Sequence, residues 1–145
     1  MINVESMKER VLHLQERIKR LKELQPAPRE KFFAGTLIRV AVERNFQVAI
    51  ECCLDIAKHI VVVREIERRN ELREVFHALG KANFITPEFA ETMSQFGKMR
   101  NLLVHHYTTV DPVQMYEYLQ NDIPHLEKFA SIVLAFIESE TRTGG

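Results

Sequence analysis

The stretch KMRNLLVHHY, residues 98 to 107, places an arginine, an amide, two adjacent histidines and a tyrosine within ten positions. Arg100 brings a planar cation suited to a phosphate or a carboxylate. His105 and His106 bring imidazoles that give or take a proton near neutral pH. A cation beside a proton-transfer group is what RNA cleavage without metal requires. One group takes the 2′-hydroxyl proton, another supplies a proton to the leaving oxygen, and the cation steadies charge on the crowded phosphorus. The same residues have a plainer reading: arginine and histidine near a helix C-terminus are favoured by the helix dipole, and an aromatic there caps a core.

Helical geometry constrains the chemical reading. Five residues at about 100° each set Arg100 and His105 about 140° apart and about 7.5 Å apart along the axis, so they do not share a face of one straight helix. Arg100 and Tyr107 are nearly in line, and Asn101 pairs with His105 at i,i+4. Either the helix breaks before His105, or the working site combines residues of two chains across a two-fold axis. The dimer is the expectation.

Helices must position these groups. From Val4 the apolar positions Met7, Val11, Leu14, Ile18 and Leu21 repeat at three-four spacing, a narrow seam that predicts a helix over 1–25 docking on its own bundle rather than a two-stranded coiled coil. Pro26 and Pro28 stop it. From about Lys31 to Val63 the chain is apolar on most sides, as suits a central helix. On it Glu43, Gln47, Glu51, Asp55 and His59 recur every four residues as one polar ridge, which fits a solvated face or the wall of a polar cleft. A charged run leads to a short helix near Asn70 to Leu79 that ends at Gly80. Thr86-Pro87-Glu88 starts the next helix, expected to reach about His106, with a buried stripe of Phe89, Met93, Phe96, Met99 or Leu102, and Leu103. Asp111-Pro112 starts another in the same way, kinked at Pro124 before Leu126, Phe129, Ala130, Val133 and Ile137. Residues 140–145 read as a frayed tail. No run reads as a strand, so the expected architecture is all-α: an up-and-down helical bundle of about four main helices plus a short one, in a single domain spanning 1–145.

Composition narrows the function classes. At 145 residues, 46% of them hydrophobic, the chain is long enough to bury a core without staples. Twenty basic residues balance twenty acidic ones, so net charge advertises neither nucleic acid nor a membrane surface. Cys52 and Cys53 are neighbours and cannot form an ordinary disulfide on a helix, so they read as buried reduced thiols. Neither HExxH nor CxxC occurs, and adjacent histidines diverge by about 100° on a helix, so no metal is expected. No glycine-rich phosphate loop is present. No opening signal or membrane-length apolar run is visible, and a cytoplasmic setting is expected.

The spacing Arg100-x4-His105-x-Tyr107 within MRNLLVHHYTTVD, together with AVERNFQVAIECCLDIAKHI from Ala41 to Ile60, resembles the HepT toxins of the HEPN superfamily over roughly Leu37 to Ile137. The resemblance implies a HEPN-like bundle and a metal-independent endoribonuclease that needs no cofactor. It also implies a homodimer whose Arg and His motifs face a shared cleft. Arg100 and His105 would be the catalytic pair, with Asn101 positioning His105 and His106 a second imidazole beside it. RNA would be the substrate and DNA would be spared. The implied partner is an MntA-type nucleotidyltransferase antitoxin that transfers AMP to Tyr107, where bulky anionic groups would repel RNA phosphates. A different class of function also fits a helical bundle: a non-catalytic docking subunit that presents substrate to a separate nucleotidyltransferase.

Overall fold

A computed structural model describes residues 3–35, 37–66, 74–105 and 110–143. Those residues form seven helices and no strand: α1 (Val4–Leu24), α2 (Arg29–Phe33), α3 (Leu37–Val63), α4 (Glu74–Lys81), α5 (Pro87–Val104), α6 (Pro112–Asn121) and α7 (Ile123–Thr143). The all-α bundle is as the sequence predicts, with α1, α3, α5 and α7 as its four long members. The short helices number three rather than one.

The α1 seam is buried at Met7, Val11, Leu14, Ile18 and Leu21, and it packs on α3 and α7 of the same chain. An internal seam thus accounts for the heptad-like pattern. Asn3 caps the helix by accepting from the Ser6 amide at 3.0 Å. Two polar links fasten it laterally. Arg17 Nη1 donates to Asn45 Oδ1 at 3.2 Å while Asn45 Nδ2 donates to the Ala41 carbonyl at 2.8 Å, so a buried amide is satisfied across α1 and α3. At the far end Gln25 donates to the Leu119 carbonyl at 2.9 Å and Gln120 donates back to the Gln25 carbonyl at 3.0 Å, tying α1 to α6.

The central apolar segment is two helices, not one. Gly35 has φ +72, a left-handed conformation that stops α2 and lets α3 leave in a new direction. Phe32 is fully buried and meets Tyr116 of α6 edge-on, 5.4 Å between centroids. Along α3, Val42, Phe46, Ala49, Ile50, Cys53, Ile56, Ala57 and Ile60 fill the core. Both cysteines are free and buried, as expected.

Three other boundaries differ from the sequence reading for local reasons. Gly80 lies inside α4, and the left-handed residue that ends the turn is Asn83, at φ 62. Gly80 serves instead for packing, since a Cβ there would lie 2.7 Å from the Ala90 Cβ of α5. Pro124 lies in the first turn of a new helix rather than kinking one: α6 ends at Asn121 and α7 begins at Ile123. The tail is helical through Thr143, held by the Arg142–Glu138 ion pair and by Thr141 Oγ1 donating to the Ile137 carbonyl. The short helix expected from Asn70 is described only from Glu74.

The caps of α5 and α6 form as read. Thr86 Oγ1 accepts from the Phe89 amide at 3.1 Å, and Asp111 Oδ1 accepts from the Val113 amide at 3.0 Å. The α5 stripe is Phe89, Met93, Phe96, Met99 and Leu103, and Leu102 points outward at 56% exposure. This rotation fixes the direction of Arg100, between buried Met99 and exposed Asn101.

Candidate active site

Arg100 is half-buried and reaches a polar cleft of about 640 Å³ between α1, α3 and α5. Ser6, Glu9, Arg10 and His13 of α1 form one wall, and one face of α3 forms the floor. The polar ridge is therefore partly a cleft lining. Gln47, Glu51 and Asp55 face the cleft, whereas Glu43 turns to Arg39 at 3.9 Å and His59 does not line it. The sequence reading passed over Arg44 and Lys58, which complete the lining at both ends of the α3 face. Their signal was present: Arg44, Glu51 and Lys58 are spaced by seven, the repeat that holds one face of a helix.

The Arg100 guanidinium is poorly partnered. Nη1 donates to Asn101 Oδ1 at 3.4 Å, a long contact, and Nε is buried with no hydrogen-bond partner among the described residues. No ion pair neutralises Arg100 among those residues. A cation held this way can donate in a fork to an oxyanion that enters the cleft.

His105 is the C-cap of α5, with φ −93 and ψ 77, and its backbone N–H donates to the Asn101 carbonyl at 3.0 Å. The helix therefore ends at Val104, before His105 and two positions short of the expected end. Its side chain is exposed and is not part of the cleft lining of one copy. Asn101 is thus linked to both predicted catalytic residues, through its side chain to Arg100 and through its carbonyl to the His105 backbone. His106 and Tyr107 lie outside the described residues.

The two cysteines on α3 offer no nucleophile to the cleft. Burial, then the Asp55 carboxylate, raises the Cys52 thiol above its ordinary value, and burial raises Cys53 well above it, so neither is a ready nucleophile. No group of three or more His, Cys, Asp or Glu residues that could hold a metal is found among the described residues.

A family model described as ribonuclease HepT-like matches residues 14–133. The chain belongs to the ribonuclease HepT-like family. It is 32% identical over 78 residues to the tRNA nuclease HepT of Aphanizomenon flos-aquae, 54% of this chain and 53% of that protein. The match thus spans about half of that HepT relative. It is 26% identical over 91 residues to the mRNA nuclease HepT of Shewanella oneidensis, 63% of this chain and 68% of that protein. The fold is similar, at a TM-score of 0.83 and 22% identity, to a tri-AMPylated Shewanella oneidensis HEPN toxin in complex with an MNT antitoxin, over 93% of this chain and 99% of that one. At that identity the likeness establishes the HEPN-type fold of this HepT-like chain.

Proposed function

We propose that this chain is the toxin of a toxin–antitoxin pair, an endoribonuclease that cuts RNA without a metal ion. The observation that carries this reading is Arg100, an arginine in a polar cleft with no neutralising carboxylate among the described residues, in a chain of a ribonuclease family. The ribose 2′-oxygen attacks the adjacent phosphorus and its bond to phosphorus forms as the bond to the 5′-oxygen breaks. The products are a 2′,3′-cyclic phosphate and a 5′-hydroxyl. His105 exchanges the protons, its sequence neighbour His106 is a second imidazole, and Arg100 balances the charge that builds on the phosphoryl oxygens. Asn101 orients the pair. DNA lacks the attacking hydroxyl and is spared.

The working unit is a homodimer. One copy leaves His105 outside the Arg100 cleft, and a second copy brought against the α5 end would supply the missing group. Exposed Leu102 beside Arg100, and exposed Leu37 and Val40 at the start of α3, give apolar surface for such a contact. The whole of 1–145 acts as one domain, consistent with α1 packing on α3 and α7. No helix among the described residues is long and apolar enough to cross a membrane, and we assign the toxin to the cytoplasm.

An MntA-type nucleotidyltransferase is the antitoxin. The Tyr107 oxygen attacks the α-phosphorus of ATP, pyrophosphate leaves, and the AMP left on the tyrosine fills the site and repels the RNA backbone. Expression of the wild-type chain in a bacterial host is expected to stop growth, and His105→Ala is expected to remove that effect. Co-expressed antitoxin should restore growth and leave AMP on the Tyr107 peptide, as read by mass spectrometry. A wild-type chain that neither stops growth nor cuts RNA would instead make it a docking subunit of the nucleotidyltransferase.

A further inference from the structure

The floor of the Arg100 cleft is a single face of α3. Arg44, Gln47, Glu51, Asp55 and Lys58 line it, separated by steps of three and four residues that hold them within a sector of about 80°. From Arg44 to Lys58 the face runs about 21 Å. Charge is ordered along it, positive at both ends and negative between.

The cations of this cleft are not equivalent. Arg10, on the α1 wall, is held by Ser6 and sits 3.9 Å from Asp55. Arg44 and Lys58 have no ion pair or hydrogen bond among the described residues, and Arg44 is exposed. Glu51 already accepts from Gln47 Nε2 at 3.0 Å, which fixes the middle of the floor. Arg100 enters from α5 with a buried, unpartnered Nε. Three unneutralised cations therefore border one groove whose centre carries carboxylates.

We propose that Arg44 and Lys58 are phosphate contacts for an RNA strand lying along α3, on either side of the phosphate that Arg100 engages. Glu51 and Asp55 repel a phosphate from the middle of the floor and turn the hydroxyls and base amino groups of the strand toward themselves, because carboxylates accept from such donors. This rests on the ribonuclease reading. It also resolves the neutral composition: the cations that matter have no ion pair among the described residues and border one groove, while others are spent in intramolecular pairs such as Lys22–Glu127, at 2.6 Å.

The test is binding of a fluorescein-labelled single-stranded 2′-O-methyl RNA, which cannot be cut because its attacking hydroxyl is blocked. Wild type, Arg44→Gln, Lys58→Gln and the double variant are compared over a salt series, with transfer RNA cleavage measured in parallel. Each single change is expected to weaken binding several-fold and to reduce the slope of log affinity against log salt by about 0.7, the loss of one single-strand phosphate contact. Cleavage should show a raised KM with kcat retained. Lys22→Gln, outside the cleft, should change neither. Arg44→Lys should keep the salt slope of the wild type, which separates a lost charge from a disturbed fold. Unchanged affinity and slope in both Gln variants, with wild type binding and cutting RNA, would overturn the proposal and leave the ribonuclease reading standing. So would Gln variants that lose only a protein partner. A wild type that neither binds nor cuts RNA would overturn both.

Discussion

Arg100 and His105 stand five positions apart, on either side of the end of a helix. Arg100 is helical with its guanidinium in the cleft, and His105 is the non-helical cap whose N–H still donates to the Asn101 carbonyl at 3.0 Å. The two residues can therefore be removed separately with little effect on the bundle, because neither fills the core. Arg100→Ala should lower kcat/KM for RNA about 10²- to 10³-fold, the loss of a charge-stabilising donor. Its thermal midpoint should stay near that of the wild type. Arg100→Lys should recover only part of the activity, because a point charge cannot donate in a fork. Full activity in Arg100→Ala would remove it from the chemistry.

Gly80 and Ala90 bring α4 and α5 together. A methyl group at position 80 would sit 2.7 Å from the Ala90 Cβ, closer than two carbons that are not bonded pack without a shift. Alanine is the better helix former by about 1 kcal/mol, but overpacking costs about 1–3 kcal/mol. Gly80→Ala should therefore lower the denaturation midpoint, and adding Ala90→Gly should recover much of it. A midpoint raised by Gly80→Ala alone would mean that the helices yield without cost.

The same helix pair is joined at the surface by His77 Nε2 and Glu91 Oε2, 3.0 Å apart, and Gln95 donates to the other Glu91 oxygen at 3.0 Å. The His77 hydrogen bond first, then that of Gln95, holds the Glu91 carboxyl below its ordinary value of 4.5. A carboxyl depressed in the folded state stabilises above its unfolded pKa, and that contribution disappears as pH falls through the folded one. The difference in melting temperature between wild type and Glu91→Gln should be largest near neutral pH and shrink below pH 4.5. Because the pair is exposed, the difference should be small throughout. A difference that stays constant down to acid pH would show that the hydrogen bonds are absent in solution.

Sequence carried the helices whose burial follows a period. The α1 seam, the Thr86 and Asp111 caps and the α7 stripe could be placed because 3.6-residue periodicity and capping chemistry are local. Gly80 misled because a glycine that permits helix contact looks, in sequence, like a glycine that ends a helix. Gly35 was passed over inside an apolar run, where only its positive φ reveals the break. Arg100 was legible by type and spacing. The floor was legible in part: stepping by four from Glu43 finds Gln47, Glu51 and Asp55 but follows a ridge that winds away from Arg44 and Lys58, whereas the groove follows the face of α3 that packing leaves open between α1 and α5. Whether that face is solvent or cleft depends on where α1 docks, a long-range fact that no local pattern holds.

The most direct test of the central claim is cleavage of bulk transfer and messenger RNA in excess EDTA by protein whose mass shows no AMP on Tyr107, beside His105→Ala, with the cut ends identified. The ribonuclease reading predicts 2′,3′-cyclic phosphate and 5′-hydroxyl ends from wild type and none from the variant. Equal cleavage by His105→Ala, cleavage that EDTA stops, or intact RNA with the unmodified wild type would contradict it.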